Sequence, residues 1–473
     1  MRKTKIICTI GPVSESKEML LKLAEAGMEI CRLNFSHGDY AEHGARIKNI
    51  REVEKESGLS LAILLDTKGP EIRCGEFENG AVEFKKGDTV TIVKENVLGN
   101  KERFHIQCPE LFDDLAQDDY LLIDDGKIRL TILSIEKGVS AKCRVENSGM
   151  IKTKKGVNVP NVKLSMPFVS DKDDADIRFG CRSGVDYIAA SFVRRAADVQ
   201  AIRDILLSEE KKTIKIIAKI ENQEGYDNLE EILGAADGVM VARGDLGVEI
   251  STALVPLYQK KIIAKANELG KPVITATHML ESMINYPRPT RAEASDVANA
   301  VLDGSDAIML SGESAAGDYP VEAVMMMDTI AKASESILDY RGVLDHQIAS
   351  SQNTTQDAIG LSVSNTCLIL DKVTAIVAFT QGGSTARRIS KFRPKAPIIA
   401  VTFTQETKHN LAVHWGVKAY FSKTQNNMHN DDELASKFAK EYGCQVGDLI
   451  IITAGYPTGE GTANMMKIIE IKE

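Results

Sequence analysis

YIAASFVRRAADVQAIRDILLSEEKKTIKIIAKIE, residues 187–221, holds two short apolar runs with a helical pattern between them. YIAASF (187–192) and KIIAKIE (215–221) are each as long as a strand and almost continuously apolar, which suits a strand covered on both faces. Between them, AADVQAIRDILLSE (196–209) repeats its apolar residues at helical spacing. The same unit recurs on either side. KIICTI (5–10), EICRLN (29–34) and LAILLD (61–66) precede it, and GVMVAR (238–243), PVITAT (272–277) and AIMLSG (307–312) follow, mostly separated by amphipathic stretches such as SKEMLLKLAEAG (16–27). Eight strand-like runs in this rhythm predict an α/β fold closed as a parallel (β/α)8 barrel, the TIM barrel. An open doubly wound sheet is the alternative that periodicity alone leaves standing.

The rhythm breaks once. Residues 70–168 carry alternating segments, DTVTIVKE (88–95), YLLIDDGKIRLTIL (120–133) and AKCRVEN (141–147), bounded by Gly, Asp and Asn, and predict a β-rich lid inserted in a barrel loop. After about residue 345 the chain turns polar (DHQIASSQNTTQD), then restarts as a separate α/β domain. Its helices are expected over 354–370, 385–393, 409–416 and 431–443, and its strands over 375–380, 397–402, 417–421, 448–455 and 465–472. The expected domains are therefore barrel 1–69, lid 70–168, barrel 169–345 and C-terminal α/β domain 346–473.

Bulk properties narrow the class. A formal net charge of −9 argues against nucleic acid or an anionic membrane as the main partner. No apolar stretch approaches the roughly 20 residues of a membrane span, and the start MRKTKIICTIGP lacks a signal-peptide core. The eight Cys are scattered with no CxxC pair, several inside apolar runs, as reduced buried thiols in a cytoplasmic protein would be.

In such a barrel, chemistry gathers at the carboxyl ends of the strands. There the second run leads into Arg32-Leu-Asn34-Phe-Ser36-His37 and the third into Asp66-Thr67-Lys68-Gly69-Pro70-Glu71. The sixth leads into Arg243-Gly244-Asp245-Leu-Gly247, the seventh ends at Thr277-His278 and the eighth at Ser311-Gly312-Glu313. Lys219 and Glu221, two residues apart on the fifth, face one side of their strand. A buried Lys–Glu pair filling the barrel is the plain structural alternative, but such pairs add little net stability after desolvation. Glu221 and Asp245 supply two hard oxygens, which suits Mg²⁺ with water and substrate phosphate completing its shell. Lys219 would then neutralise a transferring phosphoryl group. The Gly244–Gly247 turn is expected to open a short helix whose free N–H groups favour an anion. In the C-terminal domain, Thr380-Gln-Gly382-Gly383-Ser384-Thr385-Ala-Arg387 lies between a strand and a helix, where hydroxyls and N–H groups suit a phosphate; a plain tight turn is the alternative.

CRLNFSHGDY (31–40), LLDTKGPEIR (64–73), KKGVNVP (154–160), KIENQEG (219–225), MVARGDLGVEI (240–250) and NYPRPTRAEASDVANAVLDGSDAIMLSGE (285–313) together resemble the pyruvate kinase family. The resemblance runs over nearly the whole chain, and the 285–313 block is its most specific part. It implies transfer of the phosphoryl group of phosphoenolpyruvate to ADP, giving pyruvate and ATP, with Mg²⁺ (or Mn²⁺) and K⁺ as cofactors. It implies that Arg32 and Lys219 contact the transferring phosphate and that Glu221 and Asp245 hold Mg²⁺. Gly244, Asp245 and Thr277 would bind the enolpyruvate portion, with Thr277 placed for protonation through water. Asn34, Ser36, Asp66 and Thr67 would surround K⁺, while Arg73 and Lys155, with Asn34 to His37 nearby, would meet the nucleotide phosphates. In the family, Glu at the position of Glu71 accompanies K⁺ dependence, whereas Lys there replaces the ion. His278 departs from the family's Gln; it either titrates near neutrality or is a neutral replacement. The hairpin with Gly459 and Gly461 resembles the loop that closes over a sugar-phosphate activator, for which the resemblance points to fructose 1,6-bisphosphate, acting on a homotetramer.

Two other readings start from the same residues. A Mg²⁺-dependent aldolase or lyase of pyruvate enolates would also use Glu221 and Asp245, but it has no need of the lid or of Lys155. A non-catalytic sugar-phosphate sensor would have no use for Lys219, Glu221 and Asp245.

Overall fold

The computed structural model describes residues 2–352, 354–456 and 463–472. The strands Lys5–Thr9, Ile30–Asn34, Ala62–Asp66, Tyr187–Ala190, Lys215–Ile220, Gly238–Ala242, Val273–Ala276 and Ala307–Leu310 pair in sequence order and close into a barrel. Every pairing is parallel, and the pairing of the first strand with the last closes the ring and removes the open-sheet alternative. Period-two geometry divides each strand between two environments. On the fifth, Ile216, Ala218 and Ile220 join the apolar layer between strands and helices, while Ile217 points inward with Ile7, Ile30, Leu64, Met240, Ile274 and Met309. Lys219 shares the parity of Ile217 and so stands inside the barrel, one layer nearer its carboxyl end.

The helices outside are set by local chemistry. Helix Arg291–Leu302 starts with a capping box in which the Thr290 side chain receives the Glu293 N–H and the Glu293 carboxylate receives the Thr290 N–H. Its Val297, Ala300 and Val301 face the strands. Glu293 also accepts from Ser282 N and Oγ, at 2.7 and 2.5 Å, which ties the loop after the seventh strand to that helix.

The inserted segment forms its own sheets, seven-stranded and two-stranded, around an apolar cluster that includes Phe84, Phe104, Phe112, Ile92, Leu130 and Cys143. It leaves and re-enters the barrel through two short strands, Ile72–Arg73 and Gly156–Asn158, paired antiparallel with Arg73 opposite Gly156. The C-terminal sheet runs in the order Val417–Phe421, Ile398–Thr402, Val373–Phe379, Leu449–Gly455, Ala463–Glu470, with only the last strand antiparallel.

One expected helix is replaced. The pattern HNLAVHWG predicts a helix over 409–416, but the helix runs over Gln405–Asn410 and turns follow. Those turns drive Val413, with Ala412 beside it, into the interior cluster of the barrel at its amino-terminal floor. Tertiary burial wins over helical propensity there. The C-terminal domain thus plugs the barrel, and the Tyr187 hydroxyl donates to the His409 carbonyl at 3.0 Å. Beside the plug, Trp415 is buried with Lys3 and Arg393 each 5.0 Å from its ring centre. Among the described residues no helix is long and apolar enough to cross a membrane, and all eight Cys are free thiols.

Candidate active site

Side chains from five strands converge at the carboxyl mouth of the barrel. Arg32 donates to Thr9 Oγ1 at 2.9 Å and to Asp66 Oδ2 at 2.6 Å. Asp66 Oδ1 lies 3.1 Å from Lys219 Nζ, which also donates to Ser191 Oγ at 2.8 Å and pairs with Glu221 Oε1 at 2.9 Å. The result is a buried alternating chain, Arg32–Asp66–Lys219–Glu221, with Ser191 bracing its middle. Burial opposes the charge on Lys219, but the carboxylates of Asp66 and Glu221 outweigh it and hold the pKa above the usual lysine range. Burial pushes the Glu221 carboxyl up to about 8, with Lys219 pulling the other way and Asp245 adding to the rise.

Glu221 and Asp245 are the pair expected to hold Mg²⁺. Glu221 Oε2 accepts from the Phe192 N–H at 2.6 Å, while Oε1 accepts no hydrogen bond of ordinary geometry. Among the described residues no group of three or more His, Cys, Asp and Glu forms a ready-made metal cage. Two carboxylates, one with a buried oxygen engaged only by the Lys219 ammonium, fit a hard divalent cation that takes its remaining ligands from water and substrate. When bound, such an ion would offset the negative charge of a transferring phosphoryl group.

The residues expected around K⁺ meet through backbone register: Asn34 lies opposite Asp66 on the paired second and third strands. Asn34 Oδ1 accepts from the Ser36 N–H at 3.1 Å, and Thr67 Oγ1 accepts from the Ser191 N–H at 3.2 Å. Both carboxylate oxygens of Asp66 are engaged by Arg32, Lys219 and Ser191. Arg73 and Lys155 flank the same lid hinge. Arg73 pairs with Glu71 at 2.7 Å and Lys155 with Asp124 at 2.8 Å, so a nucleotide phosphate would have to replace those carboxylates. His37 is exposed, and its carbonyl lies 2.8 Å from the ring of His43.

The seventh strand ends in a backbone kink. Thr277 and His278 have φ of 69° and 53°, a left-handed conformation that costs a β-branched residue on the order of 1–3 kcal/mol. Thr277 Oγ1 accepts the Gly244 N–H at 2.8 Å. The sequence predicts free N–H groups at this turn, and this one is occupied, because the kink folds the hydroxyl back over the start of helix Arg243–Glu249. Sequence reading passed over Ser191 and Thr9, and named Arg243 at the end of the sixth strand without giving it a role; for Ser191 the signal was present, a hydroxyl ending the fourth strand as polar groups end the others.

In the C-terminal domain Gly383, with φ of 84°, starts helix Ser384–Lys391. A cavity of about 360 Å³ lies there, lined by Ser384, Thr385, Arg387, Arg388 and Lys391 with Gly270 of the barrel. Arg387 donates to the Gly382 carbonyl at 2.9 Å, and Thr380 is buried on the strand side of the turn. Gly459 and Gly461 lie outside the described residues.

A closed parallel barrel with opposed charges converging at its mouth, beneath an inserted β domain, defines a lidded barrel enzyme. Comparison with known proteins narrows that class. A model of the pyruvate kinase barrel domain matches residues 1–324, and a model of the pyruvate kinase alpha/beta domain matches residues 357–469. The chain is 54% identical to a pyruvate kinase of Geobacillus stearothermophilus over 478 residues, covering 100% of this chain and 81% of that one. It is 54% identical to a pyruvate kinase of Staphylococcus saprophyticus over 474 residues, covering 99% of this chain and 80% of that one. A solved structure of a pyruvate kinase from Cryptosporidium parvum superposes with a TM-score of 0.95 at 41% identity, covering 99% of this chain and 96% of that one. The chain belongs to the pyruvate kinase family.

Proposed function

We propose that the chain catalyses phosphoryl transfer from phosphoenolpyruvate to ADP, giving pyruvate and ATP, and that the buried Arg32–Asp66–Lys219–Glu221 chain performs it. The family generally uses Mg²⁺ and K⁺. One observation carries the reading: two cations are held at the barrel mouth by carboxylates, Asp66 between them, preorganised where a phosphoryl group would develop charge. Arg32 and Lys219 receive the phosphoryl oxygens, and Gly244 with Thr277 orients the enolpyruvate carboxylate. Glu221 and Asp245 hold Mg²⁺; Asn34, Ser36, Asp66 and Thr67 hold K⁺. Asn34, His37, Arg73 and Lys155 meet ADP, and Lys155 does so only when the lid is down, which keeps water from the transfer. Thr277 lies at the face from which the enolate carbon takes its proton.

Boundaries near 69, 168 and 345 divide barrel, lid and C-terminal domain, supported by the lid's separate apolar cluster. A cytoplasmic homotetramer switched by a sugar phosphate, fructose 1,6-bisphosphate first among the candidates, completes the reading. Thr380, Gly383, Ser384, Thr385 and Arg387, with Gly459 and Gly461, form its activator site, supported by the basic cavity beside helix Ser384–Lys391.

A lactate dehydrogenase-coupled assay with phosphoenolpyruvate tests the activity. NADH loss that requires ADP supports it, NADH loss when a 4-hydroxy-2-oxo acid replaces phosphoenolpyruvate and ADP favours the enolate lyase, and no loss with either substrate favours the sensor. For the activator, Ser384→Ala with Thr385→Ala is expected to raise the sugar-phosphate concentration needed without changing kcat at saturating substrate. Phosphoenolpyruvate titrations that coincide with and without every candidate would reduce the loop to a turn.

A further inference from the structure

Arg243 opens helix Arg243–Glu249, and its guanidinium turns inward rather than to solvent. Nε and Nη2 donate to the Thr277 carbonyl at 3.2 and 2.7 Å, and Nη2 also reaches the His278 carbonyl at 3.3 Å and the Met279 sulfur at 2.9 Å. Nη1 donates to Asp296 at 2.7 Å and Gln259 at 3.4 Å. Asp296 sits on helix Arg291–Leu302, the element fixed at its start by the Thr290–Glu293 capping box. One planar fork thus joins the helix after the seventh strand to the kink that ends the strand.

The kink has reason to need a clamp. Thr277 and His278 are both in the left-handed region, which a β-branched Thr strongly disfavours, so the surroundings must hold Thr277 there. Two consecutive carbonyls turned toward one point call for a donor with several N–H groups in one plane. The clamp also settles the Thr277 hydroxyl, which accepts from Gly244 N at 2.8 Å and donates to the Ala276 carbonyl at 2.6 Å. Gly244 directly follows Arg243, so a single turn of helix holds both the backbone and the side chain of Thr277.

We propose that Arg243, anchored on Asp296, is a positioning residue that fixes the Thr277 hydroxyl for protonation of the enolate carbon. This role rests on the phosphoryl-transfer reading of the site. In the step concerned, the π pair of the enolate forms a C–H bond at the methylene carbon and the enolate oxygen becomes the ketone of pyruvate. The proton comes from solvent water relayed at Thr277, and hydroxide returns to solvent.

Three full-length variants test it, Arg243→Met, Arg243→Lys and Asp296→Asn, each with Mg²⁺ and K⁺ present. Two rates are measured: ATP formation from phosphoenolpyruvate and ADP, and, in separate reactions without phosphoenolpyruvate, exchange of deuterium from D₂O into the methyl group of added pyruvate. Arg243→Met is expected to slow deuterium entry by about 10–100-fold while ATP formation falls by no more than about threefold, since small misplacement of a reacting group costs rate at its own step. Asp296→Asn is expected to show the same split in milder form, and it carries the test if Arg243→Met does not fold. Equal losses in both rates would make Arg243 merely structural. An Arg243→Lys enzyme matching wild type would show that charge, not the fork, matters; either result overturns the proposal. If wild type forms no ATP, the phosphoryl-transfer reading falls instead, and deuterium entry alone then decides the clamp.

Discussion

Lys219 keeps its charge against burial because Asp66 and Glu221 flank it, and that dependence runs both ways. Lys219→Met leaves two carboxylates buried with one cation fewer, a change that costs on the order of 3–5 kcal/mol when a buried pair is broken. The variant is expected to melt lower than wild type and to recover part of the loss in MgCl₂, as scanning calorimetry would show. Its kcat is expected to fall by about 10²–10³, the scale for losing one preorganised charge-stabilising group. A rise in KM with kcat unchanged would assign Lys219 to binding alone. Glu71 poses a second question at this scale, since it is paired with Arg73 at 2.7 Å. A carboxylate near phosphate requires a cation to offset it, so activity in tetramethylammonium buffer should be small and rise steeply with KCl. Full activity without K⁺ would remove the ion. Lys219 and Glu221 were legible in the sequence because period-two geometry needs no knowledge of the rest of the fold. The role of Arg243 was not, because its partners Thr277 and Asp296 lie 34 and 53 residues away.

Arg194 of the barrel donates to the Leu164 and Met166 carbonyls of the lid, and Asn158, on the returning strand, donates to Glu249 at the end of helix Arg243–Glu249 at 2.8 Å. Around these bonds runs a cleft of about 350 Å³ lined by Pro70, Ile72, Val157, Phe192, Asp245 and Glu249. Burial pushes the Glu249 carboxyl up to about 7, with the Asn158 bond working against the rise. Removing the bond with Asn158→Ala costs about 1 kcal/mol of lid closure, so the apparent KM for ADP should rise roughly 3–10-fold. A change under about twofold would mean that other contacts hold the lid. Elements were read well where a period repeats and poorly where polar residues serve a helix. DHQIA reads as linker, yet it lies in helix Tyr340–Ala349, where Gln347 is buried. Buried polar positions on a helix are set by the neighbouring surface, which the local pattern does not contain.

For the whole molecule, the decisive contacts are those between the C-terminal domain and the barrel floor. His409 lies 2.7 Å from Glu54 and 3.1 Å from Asp186, and Arg51 pairs with both of those carboxylates at 3.1 and 2.7 Å. Against burial, the bonds to Asp186 and Glu54 raise the imidazole to about 9, while His409, Arg51 and Lys408 hold Glu54 down at about 2. The folded chain therefore binds the His409 proton more tightly than the unfolded chain, whose value is about 6.5. Its stabilisation is complete below that pH and lost as pH rises through about 9. The melting-temperature gap between wild type and His409→Gln should accordingly narrow from pH 6.5 to 9.5, roughly that window. A constant gap would mean that His409 is neutral in the native state. The order of domains was legible, because each carries its own periodicity, whereas the docking of Ala412 and Val413 into the floor was not. A plug is defined by the hole it fills, and the hole is built from eight separate strands.

The chain has one tryptophan, and it sits beside that plug between two cations. Its fluorescence is therefore a gauge of the floor, free of background from any other indole. A ligand at the mouth that leaves the emission untouched has acted on its own end of the barrel. One that moves the emission to the red has let water in at the other.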